Sequence, residues 1–122
     1  MAKTIMIVDD APSVRQVVSM ALRGAGYDVV EASNGQDAAG KLDGRKLHLV
    51  ICDLNMPIMD GIGFLEAIRG LPNYRFTPVI MLTTETADDK KSRARQAGAK
   101  AWLTKPFQPS TMLDAVAKIC LP

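Results

Sequence analysis

The 122-residue sequence predicts an α/β fold, a doubly wound five-stranded parallel sheet with the strand order 2-1-3-4-5. Five short apolar segments recur along the chain with helical patterns between them, which is the (βα)5 alternation of a sheet covered on both faces. Most of these segments are rich in Val, Ile, Leu and Met, as parallel strands buried on both faces are. They are Thr4 to Val8, Tyr27 to Ala32, Leu47 to Cys52, Val79 to Leu82 and Ala101 to Leu103.

The polarity of these strands predicts their places in the sheet. Strands one, three and four are nearly unbroken apolar runs, which suits central positions. The second strand is more polar because it includes Asp28 and Glu31. We therefore place the second strand at an edge.

Residues that favour helix ends predict one helix after each strand. Proline suits a first turn, glycine suits the position after the last turn, and Asn or Asp caps the start. The fourth helix, from about 87 to 97, is mostly polar and is interpreted as a solvated face. The other end signals are Pro12 and Gly26 for the first helix, Asn34 and Leu42 for the second, Asp60-Gly61 for the third and Pro109 for the fifth.

Apolar residues at helical spacing predict which face of each helix packs on the sheet. The first helix has the longest such stripe, and the third and fifth have shorter ones. The residues expected to point inward are Val14, Val17, Val18, Ala21, Leu22, Ala25, Ile62, Leu65, Ile68, Met112, Leu113, Val116 and Ile119.

Composition predicts one domain over residues 1–122 and excludes several classes of protein. Fifteen Lys and Arg residues face 13 Asp and Glu residues, and the charges are interspersed, so nothing favours a nucleic-acid or membrane partner. The start resembles no signal peptide, and no apolar run approaches the roughly 20 residues that span a bilayer. Cys52 and Cys120 fit no metal or redox motif and are expected to be buried, reduced thiols. We expect a cytoplasmic monomer.

Polar residues follow four of the predicted strands and should share one edge of the sheet. In the order 2-1-3-4-5, strands one and three are neighbours at the switch point, where such sheets bind ligands. The acids after these two strands should therefore converge. The residues are Asp9-Asp10 after strand one, Asp53 after strand three, Thr83-Thr84 after strand four and Lys105 after strand five.

Three converging carboxylates repel one another, and a cation would relieve the repulsion. An all-oxygen donor set favours a hard ion, and a sparse set of carboxylates favours Mg²⁺ over Ca²⁺. A cation would also prepare the site for a phosphoryl group. Asp53, nearest the middle, is the predicted nucleophile and would form an acyl phosphate. Lys105 adds positive charge, and the Thr83 hydroxyl adds a donor.

Two other classes of protein could use such a sheet. A phosphatase of the haloacid dehalogenase kind has a second Asp two residues after its nucleophile, whereas this chain has Asn55, which cannot exchange a proton in the same way. A flavodoxin-like cofactor binder would share the fold but needs a phosphate-binding loop after strand one. Asp9 and Asp10 stand there and would repel phosphate.

Four stretches resemble the response-regulator receiver domains of two-component signalling, and together they extend over nearly the whole chain. The resemblance implies that a sensor histidine kinase phosphorylates Asp53, and that the protein catalyses only its own phosphoryl transfer and slow autodephosphorylation. It implies Mg²⁺ held by Asp9, Asp53 and the Asn55 carbonyl, with Asp10 acting chiefly through water. It also implies that Thr83 and Lys105 contact the phosphoryl oxygens and that Lys105-Pro106 is a cis peptide. The stretches are Ile7 to Asp10, Asp53 to Gly61, Leu82 to Thr84 and Leu103 to Phe107.

Within this family the chain is most similar to single-domain chemotaxis regulators. We therefore expect no output domain. We expect the active form to act by binding a partner protein, and the predicted partner is the flagellar motor switch. The resemblance puts the partner surface on the fourth helix, the fifth strand and the fifth helix. The alternative is a receiver acting outside chemotaxis as a phosphorelay intermediate, phosphate sink or adaptor. The similar positions are Asn55, Glu85 and the segment Gln96 to Trp102.

Thr84, Glu85 and Trp102 are the predicted switch and partner surface, and two of them depart from the family pattern. Trp102 stands where Tyr or Phe is usual, and its larger indole with an N–H could make inward rotation on activation incomplete. Thr84 is bulkier than the Ala or Gly common there. We expect it to narrow the approach of water and to slow autodephosphorylation.

Overall fold

The computed structural model describes residues 2–84 and 88–120, which form a five-stranded parallel sheet with helices on both faces. The strand order is β2-β1-β3-β4-β5, so the predicted fold is confirmed and β2 lies at an edge as expected. The elements are β1 Thr4–Val8, α1 Pro12–Gly24, β2 Asp28–Ala32, α2 Gly35–Gly40, β3 Leu49–Asp53, α3 Gly61–Arg69, β4 Val79–Thr83, α4 Asp88–Gln96, β5 Ala101–Thr104 and α5 Pro109–Ile119.

Alternate residues of the central strands enter two apolar layers, one on each face of the sheet. Ile5 and Ile7 of β1 pack with Val18 of α1 and Val116 of α5. Met6 and Val8 point to the other face, whose layer includes residues of α2, α3 and α4. This two-residue period is the geometry of a strand, so unbroken apolar runs bury both faces. β1, β3 and β4 are thereby held rigidly in the centre.

The helix caps form as predicted. Asn34 Oδ1 accepts a hydrogen bond from the Asp37 backbone N–H at 2.8 Å, and an Asp60 oxygen accepts one from Gly63 N–H at 2.7 Å. Each cap satisfies a donor that the first helical turn leaves free. Gly26 has a φ of 97°, which ends the α1 region with a left-handed residue.

Several predicted boundaries and one predicted core residue are wrong. β2 and β3 each begin later than predicted, and β3, β4 and β5 each include one more residue at the carboxyl end. α2 ends at Gly40 instead of Leu42 because Lys41 is already its C-cap. Val17 was expected in the core but is 51% exposed, since α1 packs on the sheet through Val18 and Leu22.

The remaining structural expectations concern the thiols and the membrane. Cys52 and Cys120 are both buried and form no disulfide. In residues 2–84 and 88–120, none of the helices combines the length and apolar character needed to cross a bilayer.

Candidate functional site

Three carboxylates meet where β1 and β3 end. Asp9 and Asp10 follow β1, Asp53 ends β3, and one oxygen from each lies within 4.8 Å of the others. The two strands are hydrogen-bonded neighbours, with Val8 paired to Cys52, so the adjacent ends bring the acids together. The structure therefore has the convergence that the strand order predicted.

Lys105 reaches these acids from β5, on the far side of β4. Its Nζ lies 2.9 Å from Asp9 Oδ2 and 3.3 Å from Asp53 Oδ1. Strands in a sheet are about 4.8 Å apart, so only a long side chain can reach β3 across β4. The Lys105-Pro106 peptide bond is cis, as the family resemblance implied.

Burial and charge act on these groups in opposite directions. Burial and the negative charge of Asp9 raise the pKa of Asp53 to about 6, although the Lys105 ammonium partly offsets both. Burial lowers the pKa of Lys105, but its hydrogen bond to Asp9 and the charges of Asp9 and Asp53 outweigh burial, so that pKa is raised. Lys105 therefore stays an ammonium and Asp53 is a poorly stabilised anion.

Asp9 is held by contacts that the sequence analysis missed. One of its oxygens accepts a hydrogen bond from the Ala11 N–H at 2.9 Å, and its main-chain carbonyl accepts one from Arg15 Nη1. Arg15 Nε also lies 3.7 Å from Glu31 Oε1. Arg15 lies in the first turn of α1, which begins shortly after Asp9 and Asp10. That position in the sequence is the signal that could have identified Arg15 as a neighbour of the acids. With a side chain 0% exposed, Asp9 is the most deeply buried of the three acids.

The other predicted site residues have different degrees of exposure. Thr83 is buried at the end of β4, one residue after Leu82, which pairs with Asp53. Asn55 is exposed in the loop after β3, and Thr84 is exposed after β4. Glu85 lies outside the described residues. Trp102 is half-buried on β5, and the Arg95 guanidinium carbon lies 5.1 Å from its ring centroid.

Gly61, at the end of the loop after β3, packs closely against the main chain of Asp53. A Cβ added to Gly61 would lie 2.4 Å from the Asp53 carbonyl oxygen, which is too close for any side chain. The same loop holds Ile58 at a φ of 72°, an unfavourable conformation for a β-branched residue. The loop that carries Asn55 is thus shaped by close packing and local strain.

An apolar groove of about 420 Å³ opens beside Lys105. Val14 and Val17 of α1 form one wall, and Pro106 and Phe107 form the other. Helical spacing does not reveal this groove, because it places Val17 on the same inward face as Val18. The polar site therefore has an apolar surface along one side.

The donor set at this edge fits a hard divalent cation. The three carboxylates and the Lys105 ammonium carry a combined charge of about −2 when all are ionised, which leaves the cluster short of positive charge. All three acids offer oxygen, the ligand that Mg²⁺ prefers. The arrangement can hold a cation beside a carboxylate nucleophile and an ammonium group.

Comparison with known proteins identifies the family. The family model described as the response regulator receiver domain matches residues 5–117. The chain belongs to this family. Receiver domains are the phosphorylated modules of two-component response regulators.

Relatives of this receiver have different outputs. It is 38% identical over 114 residues to the phosphate regulon transcriptional regulatory protein PhoB of Pseudomonas aeruginosa, covering 91% of this chain and 48% of that protein. The receiver thus spans about half the length of that relative. It is also 38% identical over 116 residues to a probable chemotaxis protein CheY of Rhizobium etli, covering 94% of this chain and 90% of that protein.

Solved structures with the same fold include a chemotaxis protein and a magnesium-bound receiver. CheY4 of Vibrio cholerae is 41% identical to this receiver with a TM-score of 0.93, covering 98% of this chain and 99% of that one. The receiver domain of the sensor histidine kinase PA1611 of Pseudomonas aeruginosa is 26% identical with a TM-score of 0.88, covering 98% of each chain. That structure has a magnesium ion coordinated in its active-site cleft.

We predict that Asp53→Asn stabilises the metal-free receiver at neutral pH. Because the pKa of Asp53 is raised from 3.8 to about 6 in the folded state, binding of a proton to Asp53 stabilises the fold. This stabilisation is fully present below pH 3.8 and is lost as the pH rises through 6. The neutral amide avoids that loss, which is about 2–3 kcal/mol at pH 7. Urea unfolding in EDTA should show the gain at pH 7 and almost none at pH 4.

Asp28→Asn, at an exposed position that starts β2, is the matched control and should change the free energy of unfolding little at either pH. An equal effect of Asp53→Asn at both pH values would contradict the prediction.

Proposed function

We propose that this receiver is a phospho-switch in which Asp53 accepts a phosphoryl group in a magnesium-dependent reaction. The observation that carries the proposal is the position of the Asp53 carboxylate. It is 6% exposed, lies among two further acids and has the Lys105 ammonium 3.3 Å away. A carboxylate desolvated in this way, beside a fixed cation, is suited to nucleophilic attack on phosphorus.

The proposed metal ligands are the side chains of Asp9, Asp53 and Asp10, the last chiefly through water, with the main-chain carbonyl of Asn55. Their convergence within 4.8 Å and the magnesium ion in the PA1611 receiver support this assignment. Bound Mg²⁺ supplies charge neutralisation for an incoming phosphoryl group.

In the proposed reaction, an Asp53 carboxylate oxygen attacks the phosphorus of a phosphohistidine donor in a sensor histidine kinase. A P–O bond forms, the donor P–N bond breaks, and its electron pair stays with the imidazole. Lys105 pairs with a phosphoryl oxygen, and the Thr83 hydroxyl donates to another. Charge-assisted contacts of this kind favour one of two conformations of the receiver.

We propose that the active form binds a partner through α4, β5 and α5, and that this partner is the flagellar motor switch. Coverage of 90% of the Rhizobium CheY and 99% of CheY4 supports a chemotaxis output. The equal 38% identity to PhoB supports the alternative of an output outside chemotaxis. Phosphorelay intermediate, phosphate sink and adaptor are the forms that this alternative would take.

Intact-mass analysis after incubation with acetyl phosphate and Mg²⁺ tests the chemistry. The receiver should gain one phosphoryl group, about 80 Da. Asp53→Asn should show no gain, and EDTA should abolish the gain in the unchanged protein. Asp28→Asn, the exposed control, should be phosphorylated normally. An unchanged mass with Mg²⁺ present, or a gain that survives Asp53→Asn, would refute the proposed site.

Trp102 is the only tryptophan, so its fluorescence should report the switch. If Trp102 turns inward on phosphorylation, its emission should shift to the blue. The contact with Arg95 opposes this turn by about 0.5–1 kcal/mol, the usual strength of an exposed cation–π pair. Arg95→Ala should therefore raise the inward population about two- to fivefold, whereas Arg93→Ala on the same helix should not. Unchanged emission from protein that mass analysis shows to be phosphorylated would exclude the rotation.

Capture by the flagellar motor switch protein tests the output. Receiver phosphorylated with acetyl phosphate and Mg²⁺ should be retained at least about tenfold better than unphosphorylated receiver or Asp53→Asn, since phosphorylation favours the binding conformation. If retention is independent of phosphorylation while mass analysis confirms the acyl phosphate, the output lies outside chemotaxis.

A further inference from the structure

A basic cavity lies at the end of the sheet opposite the acids. It has a volume of about 580 Å³ and is formed by the loop before β4, the turn before β5 and the end of α5. We call it the amino-edge pocket, and its principal lining residues are Arg69, Arg75, Phe76, Lys100 and Lys118. Because β4 separates it from Thr83 by about 13 Å of strand, the pocket is separate from the phosphorylation site.

Hydrogen bonds from Arg69 fix the floor of the pocket. The Arg69 guanidinium donates to the carbonyl oxygens of Thr77 at 2.7 Å, Arg75 at 3.0 Å and Gly98 at 3.0 Å. A Cβ on Gly98, whose φ is +101°, would lie 2.8 Å from Arg69 Nε, so glycine is needed for this approach. Arg69 is thus a cation held in one position by the carbonyls of two backbone segments, the loop before β4 and the turn before β5.

The cations of the pocket form no ion pair among the described residues, although Asp114 lines a neighbouring concavity with Lys100 and Lys118. Every described hydrogen bond of Arg69 goes to a carbonyl, and burial lowers its pKa, as expected for a guanidinium without a carboxylate beside it. Arg75, Lys100 and Lys118 are exposed and form no described ion pair. The fold therefore gathers four cations that are dispersed in the sequence, and an anionic ligand would relieve their mutual repulsion.

An exposed aromatic side chain stands at the rim of the pocket. Phe76 is 88% exposed, and Ile119 and Pro78 line the wall beside it. A second concave surface of about 290 Å³ continues on the other side of Phe76 and includes Lys46 and His48. The two concavities share Phe76 and Pro78 and therefore adjoin.

We propose that the amino-edge pocket binds an acidic peptide segment of a partner protein, with an apolar side chain of that segment covering Phe76. Carboxylates would pair with the cations on both sides of this contact. Among the described residues, Phe76 is the one strongly exposed aromatic, and the other apolar groups are aliphatic. Single-stranded nucleic acid would need several aromatic platforms for its bases, so the surface favours a peptide.

Fluorescence anisotropy of the full chain with a short fluorescein-labelled peptide that alternates Asp and Glu with Leu tests this site. Arg75→Glu should weaken binding about five- to tenfold by replacing attraction with repulsion. Phe76→Ala should weaken it at least about fivefold by removing the apolar contact. Arg93→Glu, an equal charge change at an exposed position of α4, is the matched control and should have little effect. Arg75→Glu and Phe76→Ala should still accept a phosphoryl group from acetyl phosphate.

Each outcome decides the proposal. Saturable peptide binding that responds to Arg75 and Phe76 but not to Arg93 supports it. Binding of oligothymidylate instead of the peptide would assign the surface to nucleic acid and overturn it. No binding of the peptide at low salt would also overturn it. Equal losses in Arg75→Glu and Arg93→Glu would show that only net charge acts and would overturn it as well.

Discussion

The mutual repulsion of three carboxylates at the ends of β1 and β3 is the constraint on which the rest of the structure depends. Asp9 and Asp53 are buried, and a buried anion is costly unless charge and hydrogen bonds compensate it. Lys105 lies between them and supplies one positive charge. The cluster remains short of positive charge, and that deficit is the physical basis for the cation binding and phosphoryl chemistry that we propose at this edge.

The apolar core maintains the acids in this unfavourable arrangement. β1, β3 and β4 are buried along almost their whole length, and two apolar layers hold them from both faces. Burial of so much apolar surface contributes far more free energy than a few repelling charges cost. Because the acids end rigid strands, the core prevents them from moving apart, and the repulsion can only be relieved by a proton, a cation or a rearrangement of Lys105. Because the acids cannot move apart, binding of a proton or a cation changes the electrostatic energy of the site directly.

The two ends of the sheet differ in charge, although the chain as a whole is nearly balanced. The carboxyl ends of the strands collect acids around Asp53, and the amino ends of β4 and β5 collect the cations around Arg69. This separation arises because every strand runs in the same direction, so residues that precede strands and residues that follow them gather at opposite edges. One end is the proposed phosphorylation site, and the other is the proposed binding surface for an acidic peptide.

The sequence by itself determined the alternation of strands and helices, the caps at Asn34 and Asp60, and the acids that end β1 and β3. These features depend on local periodicity and on strand direction, both of which a single chain displays. Only the tertiary structure decided that Val17 lies in a groove beside Lys105, that Arg15 supports Asp9, and that Arg69 joins the loop before β4 to the turn before β5. Helical spacing shows which residues share a face, but not which part of that face a neighbouring element covers. Contacts between residues distant in sequence depend on how whole elements pack, and for that reason they appear only in the folded chain.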